Sequence, residues 1–488
     1  MDGNFTRRAL VRGILFGIAS MALSGCGGSG RTEANTGAGC PPQVGGGAQP
    51  PRGVHASWTN NDVHGTRTLT WFTDGATAPE SVVEYGPVLD GMDACALDSE
   101  PFPHQVAAAH HATYGVEVRT HVATLTGLQA GVAVRYRVGS DAGGWSPVRV
   151  LQATRHGDFR FCHFGDQGLG AASERVMHSV AAAAPDFYLI AGDVAYADGH
   201  QPVWDQYFDF QQPYAAHIPL MTCPGNHENK DGKGQGYLTR FSQPGNNAWY
   251  GFDYNRVHFF FSTGGSLLKD LSSGLALSEE LVAMEQDLAE AWQRRRDGEI
   301  DFIVVVQHYT IWTNNKGRSP GNIGLITLQE QILLRYDVDL LLVGHDHIYE
   351  RSHPMKRGLK AEGGYVQLTQ GGGGRRLYEL IARPASWAAV SKVCHGYSVL
   401  EKVGRQLQVR SYAVSDADGN LLPAGADQLI DQFVLSPRVA PALQGRRSLA
   451  PEQRPPRSWD QFGVDLEVLT RDTVERNLLH DLDEIAGP

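Results

Sequence analysis

The sequence predicts a small all-β sandwich followed by a larger α/β layered domain. Three observations carry that expectation. Short alternating strands with glycine-containing turns fill about residues 52–155. Continuous apolar runs separated by helical stretches fill about 158–436. Directly after several of those runs stands a residue of the kind that binds metal ions.

The chain has 488 residues, long enough for a sizeable core and for more than one domain at roughly 100–200 residues each. Its net charge is −11 and 42% of it is hydrophobic, an ordinary soluble balance. No nucleic-acid binding is expected, because that requires a basic field. An anionic small substrate stays open, since bound metal ions can dominate the charge of a site.

The N-terminus reads as an export segment over residues 1–26. Arg7, Arg8 and Arg12 form a basic start, and the apolar run Ile14–Leu23 falls short of the ~20 residues that span a bilayer. Thr6-Arg7-Arg8-Ala9-Leu10 resembles a twin-arginine signal. Leu23-Ser24-Gly25-Cys26 resembles a bacterial lipobox, which implies lipidation of Cys26 and membrane attachment through that lipid alone. The expected location is therefore the periplasm or cell surface. Residues 27–51, rich in Gly, Pro, Ser and Thr, read as a flexible linker. Besides Cys26 the chain holds Cys40, Cys95, Cys162, Cys223 and Cys394. An odd number argues against a dense disulfide framework and leaves room for one bridge. Cys162 and Cys223 lie in apolar runs and read as buried small side chains.

In the first domain, strands are expected over Arg67–Phe72, Ser81–Tyr85, Gly115–Leu125, Ala133–Ser140 and Val148–Ala153. Leu125-Thr126-Gly127-Leu128-Gln129-Ala130-Gly131 with Tyr136-Arg137-Val138 resembles a fibronectin type III domain. His104, His110, His111 and His121 have no metal-site spacing and read as surface or packing residues. In the second domain the buried strands are Phe159–Phe164, Phe187–Ala191, Ile218–Cys223, Phe302–Val306 and Val338–Val343. Helices are expected over Ser278–Arg296 and Thr327–Arg335. The tail 437–488, with a helix-like piece Leu466–Leu482, reads as surface-docked chain.

The chemistry stands at the strand ends. Phe161-Cys162-His163-Phe164 leads into Gly165-Asp166-Gln167-Gly168, and Tyr188-Leu189-Ile190-Ala191 into Gly192-Asp193-Val194-Ala195-Tyr196. Leu220–Pro224 leads into Gly225-Asn226-His227-Glu228, Val304–Gln307 into His308, and Leu341–Val343 into Gly344-His345-Asp346-His347. Carboxyl ends of strands are where α/β sheets build sites. One such residue alone would be a turn-capping Asp or a packed His; an ordered set of them is a metal centre. Oxygen and nitrogen donors suit iron, zinc or manganese. A carboxylate can bridge two ions, and two ions ~3.5–4 Å apart can activate water and stabilise both oxygens of a phosphoryl displacement.

The set D-x-G, G-D-x-x-Y, G-N-H-E, V-x-x-H and G-H-x-H resembles that of the purple acid phosphatases, within the calcineurin-like metallophosphoesterases. The resemblance covers about residues 52–436, and Tyr349-Glu350-Arg351 adds to it. It implies that Asp166, Tyr196 and His347 hold one ion with a bridging Asp193, while Asn226, His308 and His345 hold the other with the same Asp193. It also implies a ferric ion on the tyrosine side, paired with ferrous iron, zinc or manganese, and attack by a metal-bound hydroxide. His227 is implied to contact the phosphate and assist the leaving oxygen. Where relatives in the wider superfamily end the first motif in His, Gly168 stands here, and Tyr196 is implied to supply the replacing ligand.

One departure is visible. Plant members carry further histidines after V-x-x-H, whereas Tyr309–Asn322 has none. Lys316 and Arg318 supply positive charge there or belong to a solvated loop. Asp198, Trp204 and Asp205 are expected to support the second motif, and His200 to lie at the site rim or in a surface loop. His163, His178, His353 and His395 read as structural. The expected function is hydrolysis of phosphate monoesters. The alternatives are a phosphodiesterase or phospholipid-directed enzyme on the same metals, and a surface binding protein whose metal site is vestigial.

Overall fold

The computed structural model describes residues 49–264 and 275–438. The expectations for the export segment, for Cys26, for most of the linker and for Leu466–Leu482 lie outside those residues.

The N-terminal part is a sandwich of two antiparallel sheets. One has strand order Arg52–Ser57, Arg67–Asp74, Val118–Leu125, Ala109–Ala112. The other runs His104–Ala107, Val82–Pro87, Val134–Ser140, Gly144–Trp145, with Arg149–Leu151 also on Val134–Ser140. Val54, Leu69, Trp71, Val83, Tyr136 and Val138 fill the space between the sheets. These are alternate positions of each strand, as period-two patterning requires. His121 is buried flat against Trp71 at 5.4 Å, a packing role, and His104 and His110 are exposed. Cys95 is disulfide-bonded and Cys162, Cys223 and Cys394 are free and buried.

The larger part stacks two mixed sheets. The first has order Leu220–Cys223, Phe187–Ala191, Phe159–Phe164, Gly396–Val403, Gln406–Ala413, Gln428–Leu435. The second has order Tyr250–Tyr254, Val257–Phe261, Phe302–Gln307, Leu340–Val343, Val366–Gln370, Tyr349–Ser352, Ala388–Lys392. Phe161, Phe187, Phe259, Val304 and Leu342 pack between the sheets. Alternate residues of the same strands face helices: Cys162, Phe164 and Tyr188 on one side, Ile303, Val305 and Leu341 on the other. Burial on both faces is why these strands read as unbroken apolar runs. The first three strands of the chain's second part are mutually parallel, and so are Val257–Phe261, Phe302–Gln307, Leu340–Val343 and Val366–Gln370. Their carboxyl ends therefore meet at one edge, where Gly165 N–H donates across the two sheets to Gln370 O at 2.8 Å.

The helix Pro202–Ala215 starts with Pro at its first turn, where the missing N–H costs nothing. It buries Trp204, Tyr207, Phe208, Gln211 and Tyr214, spaced by three and four. Leu275–Arg296 is the long helix expected there. The expected Thr327–Arg335 helix is instead two short ones, Ile323–Leu328 and Glu330–Arg335. The break falls at buried Gln329, whose side chain reaches Ser262 Oγ at 3.3 Å. At the start of the tail, Arg438 Nε donates to Asp339 Oδ1 at 2.9 Å, so the chain docks on the second sheet there.

The sandwich is clamped to the larger part through Pro202–Ala215. Arg52 pairs with Asp205 at 2.8 Å, and Val54 N–H donates to Gln212 Oε1 at 2.9 Å. His55 is inserted between Phe72, Phe208 and Phe241, its ring 4.8 Å from that of Phe208 and its nitrogens against Gly53 O and Arg240 O. Burial pushes the His55 imidazole down to about 4. The unfolded chain takes up that proton near the ordinary value of about 6.5 and the folded chain does not. The stability His55 contributes is therefore full above pH 6.5 and is lost as pH falls toward 4. The expected outcome is that His55→Gln loses less stability than the parent over this window, by up to about 3 kcal/mol. Thermal unfolding followed at both pH values checks it; equal losses would overturn the assignment.

Candidate metal centre

The strand ends converge at the shared edge of the two sheets. Asp166, Asp193, Asn226, His308, His345 and His347 are buried and Tyr196 is half-buried. They form two groups. In the first, the Tyr196 hydroxyl lies 3.2 Å from Asp166 Oδ1 and 3.1 Å from His347 Nε2, and that nitrogen lies 3.2 Å from Asp166 Oδ1. In the second, His308 Nε2 lies 2.9 Å from Asn226 Oδ1, 3.2 Å from His345 Nδ1 and 3.1 Å from Asp193 Oδ2. Ligand atoms of Asp193, His308 and His345 all fall within 4.8 Å of one another. All seven residues singled out in the sequence thus face one small volume.

The backbone bends hard to achieve this. Asp166, Asp193, Tyr196, Asp198 and His345 all have left-handed φ between 49° and 68°. For residues with a Cβ this is sparsely populated and costs about 1 kcal/mol or more each. Gly192 is needed outright: at φ +76 a Cβ would sit 2.6 Å from His308 Nδ1.

Two carboxylates outside the donor set hold the bends. Glu228 is buried and accepts from the backbone N–H groups of Asp193 and Val194, both at 2.9 Å, and of Gly225 at 2.7 Å. Burial, with the Asp193 charge, pushes its carboxyl up to about 7. Asp346, between the two terminal histidines, accepts from Thr310 Oγ1 at 2.8 Å and Asn315 Nδ2 at 2.7 Å. It also pairs with Arg318 at 2.7 Å, so Arg318 is a largely buried part of the scaffold and not of a solvated loop. Lys316 is exposed and paired with Glu379. Trp204 and Gln201 both donate to buried Asp231, at 2.6 and 2.7 Å. Asp205 faces Arg52 of the sandwich. His200 is an exposed loop residue. Tyr349 and Arg351 hold Asp431, and Glu350 holds Asn314, away from the donors.

Sequence reasoning missed Glu228, Asp346 and Tyr378, whose ring stacks on His347 at 4.1 Å. A signal existed for Glu228, three residues after Gly225 in capping-box spacing. Tyr378 lies beyond a run of four glycines with no periodicity to read.

The electrostatics call for cations. Burial alone would lower His308, but the facing Asp193 charge outweighs it and lifts the imidazole to about 9. Burial pushes Asp166 up, with His347 opposing. Burial would raise Asp193 as well, yet His308 and His227 pull it below the ordinary range. A field that raises a histidine this far is one that a metal ion would satisfy, releasing that proton. The side-chain nitrogen of Asn226 is buried with no hydrogen-bond partner among the described residues, while its oxygen points at His308. The donor set of carboxylate, phenol, amide and imidazole fits hard to borderline metal ions.

Residues 51–153 match the model of the purple acid phosphatase N-terminal domain, and residues 159–349 match that of the calcineurin-like phosphoesterases. The chain belongs to the purple acid phosphatase-like metallophosphoesterases. It is 28% identical to mouse acid phosphatase type 7 over 408 residues, covering 76% of this chain and 89% of that protein. It is 25% identical to Arabidopsis thaliana purple acid phosphatase 22, covering 67% of this chain and 72% of that one. The yellow lupin purple acid phosphatase structure superposes with a TM-score of 0.63 at 19% identity, covering 80% of this chain and 74% of that one, a likeness of fold. As a member of this family the protein is a metal-dependent phosphoesterase, and the family implies a binuclear centre.

Because Asp346 stands between His345 and His347 and its carboxylate ties that turn to Thr310, Asn315 and Arg318, Asp346→Ala should weaken metal affinity about 10–100-fold with the fold retained. Metal titration against a competing chelator, beside circular dichroism, checks this; unchanged affinity would remove Asp346 from the scaffold.

Proposed function

We propose that this protein hydrolyses phosphate monoesters at a binuclear metal centre. The observation that carries the reading is the pair of donor groups, Asp166/Tyr196/His347 and Asn226/His308/His345, with Asp193 beside the second and within electrostatic reach of the first. In this reading Asp166, Tyr196 and His347 would hold one ion and Asn226, His308 and His345 the other, with Asp193 shared between them; the tyrosine side would suit ferric iron and the other zinc, manganese or ferrous iron. When bound, such a pair supplies water activation and charge stabilisation for phosphoryl transfer.

The chain's own residues do the rest. Asp198 Oδ1 lies 2.6 Å from His227 Nδ1, which fixes the imidazole and sets its other nitrogen toward Asp193, 3.9 Å away. From there Nε2 delivers a proton to the leaving oxygen. Glu228 and Asp346 keep the donors in register. We further read residues 1–26 as an export signal with Cys26 lipidated, 27–51 as linker, 52–155 and 158–436 as the two folded domains and 437–488 as tail, in a periplasmic or surface enzyme.

Asp193→Ala is expected to abolish turnover and metal binding together, read by activity and metal content of purified protein; full activity would sink the reading. With iron- and zinc-loaded protein, an aryl monoester is expected to outpace its matched diester, and diester preference would replace the function with phosphodiester cleavage. His227→Ala should cost about 10²–10⁴ in kcat. The loss should grow as the leaving alcohol becomes more basic, as measured over a series of substituted phenyl phosphates; a loss independent of the leaving group would remove His227 as the acid.

A further inference from the structure

The glycine run after Val366–Gln370 brings a cation to the donor cluster. Gly373 N–H donates to Gly165 O at 3.0 Å and Arg375 N–H to Asp166 O at 3.2 Å. His347 Nδ1 donates to Arg376 O at 2.6 Å, and Tyr378 N–H to His347 O at 3.1 Å. The loop is thus sewn to the Asp166/Tyr196/His347 side of the site. Its Arg375 guanidinium lies 4.3 Å from the centroid of the Tyr196 ring, within cation–π distance.

Gly168 makes room for that course. A Cβ there would meet Arg375 Cδ at 2.7 Å and Tyr196 Cδ2 at 3.3 Å. The space above Gly168 is therefore filled by the arginine stem.

Two other cations near the site are committed, Arg318 to Asp346 and Lys316 to Glu379. Arg375 is exposed, and among the described residues its guanidinium has no carboxylate partner. The Tyr196 ring that it covers also touches the His227 ring, at 4.2 Å between centroids. A leaving group protonated by His227 accordingly departs beside the same tyrosine, within the span of an arginine side chain.

We propose that Arg375 is a specificity-determining residue that docks a second anionic group on the leaving portion of the substrate. The favoured class is phosphate esters whose alcohol carries its own carboxylate or phosphate, over esters of neutral alcohols. This rests on the phosphoryl hydrolysis proposed above. A guanidinium can pair with either anion in two parallel hydrogen bonds, and its exposure limits the gain to that of a partly solvated pair.

The test uses phenyl phosphate and 3-carboxyphenyl phosphate, which differ in a remote charge and little in the basicity of the leaving oxygen. The metal-loaded parent should favour the carboxylated ester in kcat/KM. Arg375→Ala should cut the ratio of the two kcat/KM values about fivefold to tenfold, through KM, and Arg375→Lys should restore part of it. A ratio unchanged in Arg375→Ala overturns the proposal, whether or not both rates fall, because a structural role or contact with the transferred phosphoryl group moves both esters equally. Calorimetric binding of phenylphosphonate and 3-carboxyphenylphosphonate, which are not hydrolysed, reads the same preference without turnover. If neither ester is hydrolysed but the phosphonate preference depends on Arg375, the phosphatase reading fails and the subsite stands. Hydrolysis without any Arg375-dependent preference does the reverse.

Discussion

Everything at the sheet edge depends on crowding carboxylates, a phenol and imidazoles together in a place that water reaches poorly. Asp166, Asp193 and Glu228 are all buried there, with the half-buried Tyr196 phenol beside them. Such a cluster repels itself, and burial multiplies the repulsion. Two things let it exist in the folded chain. One is the raised His308, whose proton supplies positive charge at the position where an ion would otherwise do so. The other is a strained backbone: left-handed turns at five residues of the site, with Asp166 N–H donating to Gly192 O, Asp193 O accepting from Gln167 N–H and His345 N–H donating to Asp166 Oδ2.

The sandwich takes part in that locking. Its strand Arg52–Ser57 grips the helix Pro202–Ala215 through Arg52, Val54 and His55. The helix begins beside the loop that carries Asp198, and its Trp204 donates to the same Asp231 that receives Gln201. Arg240 closes the circuit, donating to Gln201 Oε1 at 2.8 Å while its carbonyl faces His55. The position of the Asp198–His227 pair is therefore referred, through this chain of hydrogen bonds, to a different domain. Placing an acid group within tenths of an ångström needs support of this kind, because a surface loop alone would not hold it.

The parts legible in the sequence share a physical cause. Strands buried on both faces leave unbroken apolar runs, so Phe159–Phe164 and Phe187–Ala191 were readable to the residue. A turn that aims a side chain into a site leaves its glycine and its Asp or His next to such a run, so the residues that meet at the sheet edge stood out too. What was not readable is what reaches the site from a distance. Asp346 could be seen between two histidines, but not that Thr310, Asn315 and Arg318 converge on it. Arg318 looked like loop charge because sequence does not show that its partner is fully buried. The helix break at Gln329 has the same origin: the apolar spacing across Thr327–Arg335 suits one helix, and a tertiary contact to Ser262 overrides it.

The first motif shows how such distant groups compensate a local change. A Cβ at position 168 would meet Arg375 Cδ at 2.7 Å, so a histidine there would require the arginine stem to move. With glycine there, the space that a side chain of that motif would fill passes to an arginine from a loop more than two hundred residues away. Arginine cannot give up its proton to bind a metal, so it brings to the rim a fixed positive charge where a ligand histidine would bring a neutral donor. Tyr196 stands between the two. Its hydroxyl closes the donor group with Asp166 and His347, while its ring face receives the guanidinium, so one side chain serves the ion-binding interior and the cationic rim at once.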